Sequence, residues 1–393
     1  MTSEICIMNR RALVLAADSA VTVTRWESGQ RQERYFKGSN KVFELSVANP
    51  VGIMIFDSAD LNRVPWEIIV KAYRAEKGRE SCGTIADYAS SFFDFIRSSQ
   101  GLFPDEFRTE VFVKSADQAM IRYLRLAGDD DRVKAAGADA VAADAARRAV
   151  LSEFLDGLRA LPLSAPFSDQ DLTEALGRHM ATLLTEAEVN IKYFGQDTTF
   201  PAAELVEIGL NAVFKRPEFA LSATGIVVAG YGDSDYFPSY QEYVCYGFVS
   251  DHLYSTPKSN SRITHQETGH WNTFATTNMV DTFTMGFGPD VWGSVRSHLV
   301  TTLQAFAAKI QAELGGSCAS LDKLIADALK EHTDNWTDAV VVKHARPLRD
   351  VISSLPVDEM ASLAETMIML ESLKERVTQP SESVSGPIDV DNH

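Results

Sequence analysis

Three residues near the amino terminus have types and spacing that could do chemistry: Thr2, Asp18 and Lys41. Once Met1 is removed, Thr2 carries a nucleophilic hydroxyl and a basic α-amine on one residue, a pairing that serves covalent acyl transfer. A free α-amine has an ordinary pKa of about 7.7–8.0, so it accepts a proton near neutrality where an unperturbed Lys or Tyr does not. Asp18 closes the apolar run Ala12–Ala17, and Lys41 opens a second run at Val42. A lysine so placed is partly desolvated and stays cationic only with a counter-charge, which Asp18 could supply. Together the two would tune the proton affinity around the nucleophile and relay its proton. Each residue alone has a plainer reading. Thr commonly follows Met because it is small, Asp18 suits a turn, and Lys41 suits a solvated strand edge.

Apolar periodicity supplies the elements that must position these residues. Residues 3–17 read as two strands around Asn9-Arg10-Arg11, because Ile5 and Ile7 alternate with Cys6 and Met8 before Leu13-Val14-Leu15. The polar stretch Arg25–Ser39 reads as a loop, and strands follow at Lys41–Val47 and Val51–Phe56. A helix begins near Pro65, with Trp66, Ile69, Ala72 and Tyr73 at helical spacing, and a second spans about Ile85–Ile96. Ala, Asp, Arg and Leu dominate from roughly 100 to 220, in a helical pattern. Strands return at Thr224–Ala229 and Glu242–Ser250. Helices follow at Val291–Leu314, Leu321–Glu331 and Val357–Val377, with a last short strand at Ile388–Val390. This order predicts an α+β protein with two sheets packed face to face and helices outside.

The chain of 393 residues is 45% hydrophobic and 23% charged, enough for a sizeable core. A net charge of −17 argues against nucleic acid or an anionic membrane as a partner. Cys6, Cys82, Cys245 and Cys318 are widely spaced and read as free thiols of a reducing compartment. No apolar run approaches the ~18 residues of a membrane span, and Glu4 with Arg10-Arg11 argues against a signal peptide, so a cytoplasmic location is expected. Gly230-Tyr231-Gly232-Asp233-Ser234-Asp235 lacks the Gly-Lys-Ser/Thr ending of a phosphate loop and reads as a structural or calcium-like turn. His265, Glu267 and His270 cluster without a third ligand in a defined element, so no metal is expected there.

Spacing within the whole set points further. Thr2 followed sixteen positions later by Asp18, inside Leu13-Val14-Leu15-Ala16-Ala17-Asp18-Ser19, resembles the opening of proteasome β subunits and their simpler bacterial homologues. Lys41 in Asn40-Lys41-Val42-Phe43-Glu44-Leu45 looks like that family's catalytic lysine, and Val51–Asp60 like its next strand and turn. Leu355–Thr366 resembles its long last helix, and Ser385-Gly386-Pro387-Ile388 its final turn and strand. The resemblance covers about residues 2–96 and 222–391. It implies a four-layer αββα N-terminal nucleophile (Ntn) hydrolase sandwich with a large helical insertion. Residues 1–99 and 222–393 would be the two parts of the core, and 100–221 the insertion.

Carried over residue by residue, the resemblance implies a threonine protease. Thr2 is the nucleophile, freed by loss of Met1 alone, and Asp18 and Lys41 are its supporting pair. The turn Asp57-Ser58 stands where the family has its oxyanion-binding glycine; Asp57 reads equally as an N-cap of the following helix. Glu382 and Ser385 match the spacing of a supporting acid and serine, with Glu in place of the usual Asp. A further family serine has no clear match, Thr276-Thr277-Asn278 being the nearby candidate. The expected substrate is a peptide or unfolded protein, and the expected assembly is a homo-oligomeric ring or spiral with an unfoldase or other protein partner. No cofactor is implied. The competing expectation is a catalytically silent structural or regulatory subunit that binds a partner through its insertion.

Overall fold

The computed structural model describes residues 3–27, 30–37, 40–196, 198–315, 320–378 and 388–392, without the side chains of 21–37, 314 and 392. Strands β1 (Ser3–Asn9) and β2 (Leu13–Asp18) form an antiparallel hairpin. The Asn9 side-chain oxygen closes its turn by accepting the Arg11 and Ala12 N–H groups at 2.8 and 3.1 Å. A second hairpin, β3 (Ala20–Glu27) and β4 (Gln30–Lys37), occupies most of the stretch expected to be a loop. Its first strand, Ala-Val-Thr-Val-Thr, is rich in β-branched residues, and that propensity outweighs the polar residues beyond it.

Next come β5 (Val42–Glu44), β6 (Val51–Phe56) and the short pair β7 (Asp60–Leu61) and β8 (Val64–Pro65), then α1 (Trp66–Lys77) and α2 (Ile85–Ser98). A capping box between Thr84 and Asp87 starts α2. Six helices follow: α3 (Asp105–Asp129), α4 (Asp131–Ala135), α5 (Ala140–Ala160), α6 (Asp169–Tyr193), α7 (Ala202–Lys215) and α8 (Pro217–Ala220). Helix α7 is apolar over most of its circumference, with Leu205, Val206, Ile208, Leu210, Val213 and Phe214 all buried and a narrow polar stripe at Glu204, Glu207 and Lys215. Such a helix belongs in the middle of a bundle. It sits there, against α3, α5 and α6.

The chain then returns to strands: β9 (Thr224–Gly230), β10 (Ser239–Val249), β11 (His252–Arg262) and β12 (Gly269–Ala275). It continues through α9 (Asn278–Met285), α10 (Pro289–Leu314) and α11 (Leu321–Val340). A π-helical turn at Val341–Ala345 leads into α12 (Arg346–Ile352), α13 (Val357–Thr378) and β13 (Ile388–Asn392). Helix α11 runs past the expected end at Glu331 because Trp336 packs edge-on against Trp292 of α10, 4.8 Å between centroids. Helices α10 and α11 form a hairpin in which only Ala307 and Val340 are fully covered among the described side chains. No described helix is long and apolar enough to cross a membrane.

Both large sheets are antiparallel, with strand orders β12-β1-β2-β13 and β11-β10-β9-β6-β5. Period-two alternation sorts their side chains. Cys6, Met8, Leu13 and Leu15 of the first sheet meet Met54, Phe56, Val227 and Ala229 of the second. On the outer face of the first sheet, Ile5, Ile7, Val14 and Ala16 pack on Met360, Ala364, Met367 and Ile368 of α13. On the outer face of the second, Ile53, Ile226 and Val228 pack on α1 and α2 through Trp66, Ile69, Tyr88 and Phe92. The protein is thus mixed α and β with antiparallel sheets. Each fully buried aliphatic or aromatic side chain in these layers contributes roughly 1.5–3 kcal/mol.

Candidate active site

The end of β2 meets the start of β5 at one buried ion pair. Lys41 Nζ lies 2.9 Å from Asp18 Oδ1, with the two residues only 7% and 1% exposed. The same Oδ1 accepts the Ser3 N–H at 2.9 Å, and Oδ2 accepts the Ala20 N–H at 3.2 Å. A buried carboxylate needs several donors to offset lost hydration, and Asp18 has them. The pair is therefore a fixed assembly rather than a loose surface contact.

A third element braces it. The Lys41 N–H donates to Asp389 Oδ2 at 3.2 Å, and Asp389 lies on β13 opposite Ala17 of β2. Burial raises the Asp389 carboxyl above its ordinary range, opposed by the Lys41 N–H and the Lys41 charge, while Asp18 pushes it further up. The Lys41 carbonyl accepts the Ile55 N–H at 2.9 Å, which ties the pair to β6 and to the turn beyond it.

That turn is Asp57-Ser58. Ser58 N–H donates to the Phe56 carbonyl at 3.0 Å while Asp57 adopts φ 71°, which makes an uncommon positive-φ γ-turn. This is a conformation in which glycine would be unstrained. The Asp57 N–H has no acceptor among the described residues. Asp57 is not a helix cap: α1 starts nine residues further on, at Trp66 behind Pro65. The extra β7–β8 pair separates turn from helix. Surrounding protein raises the Asp57 carboxyl by desolvation, and Lys258 and Lys41 pull it back. Ser58 Oγ donates to the Asp60 carbonyl at 2.9 Å.

Glu4 is the residue that sequence reasoning missed. It is 1% exposed on β1, opposite Ala17, and neither carboxyl oxygen has a hydrogen-bond partner among the described residues. Burial holds its carboxyl well above the ordinary range; the Lys41 charge lowers it, and Asp18 and Asp57 raise it further. Its only signal in the sequence is a charge inside the run Ser3–Met8, which near a chain terminus reads as solvated. Asp389 was missed for a similar reason.

The site residues Thr2, Glu382 and Ser385 lie outside the described residues, as does Cys318. Thr277 opens α9, with its hydroxyl 2.7 Å from Asp281 Oδ2. His270 lies on β12 opposite Met8, and burial lowers its pKa. The His265 ring packs edge-on against Phe237. In the Gly230–Asp235 turn, Asp235 accepts the Gly232 N–H at 3.0 Å and pairs with Arg262 at 2.9 Å. Asp233 accepts from Asn49 at 2.9 Å and from Ser81. These carboxylates tie chain segments together.

Chemically, the arrangement offers a buried ammonium–carboxylate couple bonded to the Ser3 N–H, near a turn whose Asp57 N–H has no acceptor among the described residues. Comparison with protein-family models, curated proteins and solved structures finds no match.

Proposed function

We propose that this protein is a threonine-dependent peptide hydrolase with the four-layer Ntn sandwich of the bacterial proteasome homologues. The observation that carries the reading is the Ser3 N–H bond to Asp18, the same carboxylate oxygen that holds Lys41. Ser3 N is the nitrogen of the peptide bond that follows Thr2 in the chain. The sheet order, the helices outside both sheets and the glycine-like φ of Asp57 agree with this reading.

In the reaction, the Thr2 hydroxyl gives its proton to the α-amine exposed by loss of Met1, and its oxygen bonds to the scissile carbonyl carbon. A cation beside an amine disfavours its protonation, so the Lys41 ammonium keeps the α-amine available as base. The Asp57 N–H stabilises the oxyanion. The carbon–nitrogen bond then breaks, and the leaving amine takes the proton from the α-ammonium. Water bonds to the ester carbon and passes a proton to the α-amine; the carbon–Oγ bond then breaks, the α-ammonium returns the proton to Thr2 Oγ, and the acid product leaves. The substrate is a peptide or unfolded protein, and the subunit works in the cytoplasm within a homo-oligomer that confines it, with an unfoldase as a partner.

A second reading, a catalytically silent subunit, draws on the Asp57 carboxyl beside the oxyanion position. Intact mass and reporter cleavage decide between them. A mass lacking one Met, with turnover of short peptide esters or amides that Thr2→Ala abolishes, supports the hydrolase. Full retention of Met1, or equal turnover by wild type and Thr2→Ala, rejects it.

A further inference from the structure

A cavity of about 240 Å³ opens beside the Asp57-Ser58 turn, enclosed by Ser58, the β7–β8 segment, helix α3 and the ends of β9 and β10. Its position follows from the sheet register. Phe56 lies opposite Gly225, Thr224 lies opposite Cys245, and Ile55 bonds to Lys41. The cavity and the Asp18–Lys41 couple therefore occupy the same end of the second sheet, joined through the turn.

One wall is held rigid by an unfavourable backbone. Asn62 and Arg63 have φ of 49° and 71°, in the left-handed region that side chains rarely adopt. Asn62 Oδ1 accepts the Phe248 N–H at 3.0 Å, and Asp60 Oδ1 accepts the Arg63 N–H at 2.9 Å. Strain of this kind persists where the surroundings enforce it, and it gathers at binding sites.

The charge of the wall identifies the ligand. Lys114 of α3 lines the cavity and has Glu110 four residues before it, the right spacing for an intrahelical pair. Glu110 instead pairs with Arg63 at 2.8 Å. The Lys114 ammonium, on a solvent-exposed residue, has no ion pair or hydrogen bond among the described residues. Asp60 and Arg63 also line the cavity, but Asp60 accepts the Arg63 N–H and Arg63 pairs with Glu110, so Lys114 is the wall's cation without a counter-charge among the described residues. The floor is neutral: Thr224 is buried, and burial pushes the Cys245 thiol up to about 12. The volume falls below the roughly 300–1,000 Å³ of a site for a whole small molecule and suits one side chain.

We propose that this cavity receives an acidic side chain of the substrate, with the Lys114 ammonium as its counter-charge. The identity of the ligand rests on the hydrolase reading; its binding does not.

The test uses full-length protein and two measurements. Fluorogenic peptides carrying Glu, Gln or Lys at each position flanking the cleavable bond give kcat/KM for wild type and Lys114→Glu. Calorimetry on Thr2→Ala, with and without Lys114→Glu, measures binding of a Glu-containing tetrapeptide against its Gln counterpart. Glu over Gln by about tenfold in wild type, a factor equal to ~1.4 kcal/mol, turning to a Lys preference in Lys114→Glu, supports the assignment. Threonine-dependent cleavage with no Glu preference, or a preference that Lys114→Glu leaves intact, overturns it and spares the hydrolase. Charge-dependent binding to Thr2→Ala, with no cleavage by wild type, keeps the cavity and rejects the hydrolase.

Discussion

The Lys41 ammonium and the Asp18 carboxylate are 2.9 Å apart in a region almost closed to solvent, and the same oxygen of Asp18 anchors the Ser3 backbone. Removing one partner strands the other in a low-dielectric interior. Lys41→Ala is expected to lose about 3–5 kcal/mol of stability. Asp18→Asn should lose a comparable amount, and the double variant less than the sum, because the stranded charge is gone. Urea denaturation of the four proteins measures this coupling; strictly additive losses would show that the two groups do not interact.

Glu4 predicts a pH dependence with a definite sign. Its folded-state pKa is raised, so the folded chain holds a proton that the unfolded chain releases near pH 4.3. Its contribution to stability is fully present below about pH 4.3 and is lost as pH rises toward the folded value. Glu4→Gln cannot ionise. The variant should therefore gain on wild type at pH 7, and the gap should shrink toward pH 4. Parallel unfolding midpoints at both pH values would refute the assignment of a protonated Glu4.

At Asp57 the positive φ sets the expectation. Asp57→Gly relieves the strain and should stabilise the fold by about 1 kcal/mol, whereas Asp57→Val should destabilise it by a similar or larger amount. Under the hydrolase reading, Asp57→Gly also raises kcat/KM, because a carboxyl leaves the neighbourhood of the developing oxyanion. Equal stability of the Gly and Val variants would contradict the left-handed turn.

Gly225 is expected to be intolerant for a steric reason. A Cβ there would lie 2.0 Å from the Phe56 ring, which also packs on Phe274 with centroids 5.8 Å apart. Gly225→Ala should lose about 1–3 kcal/mol or more by overpacking, and Phe56→Leu in the same chain should recover part of it. Thermal denaturation of the single and double variants tests this. A neutral Gly225→Ala would mean that the ring does not occupy this space.

Much of the layout was legible because burial and periodicity coincide. β1, β2, β6 and β9 are apolar strands with covered faces, and α2 and α13 carry clear stripes, so local pattern and tertiary position agree. Besides the β3–β4 hairpin expected to be a loop, two of the missed strands are sheet edges. β11, with the polar run from Ser255 to Arg262 and Pro257 inside it, borders one sheet, and β12 borders the other. Edge strands need little apolar patterning and tolerate proline. Asp18 and Lys41 could be read as charges at the ends of apolar strands. Glu4, Asp389 and the cavity beside Lys114 could not, since their settings depend on segments far away in the chain.

β13 gives the molecule a built-in delay. The carboxylate that steadies the Lys41 backbone arrives 348 residues after it. At translation rates of about 5–20 residues per second, that interval is roughly 20–70 s. Throughout it, the growing polypeptide carries the Asp18–Lys41 couple without that brace. Alignment of the couple by Asp389 is thus deferred until β13 has emerged, and any earlier stall leaves the Lys41 backbone unbraced.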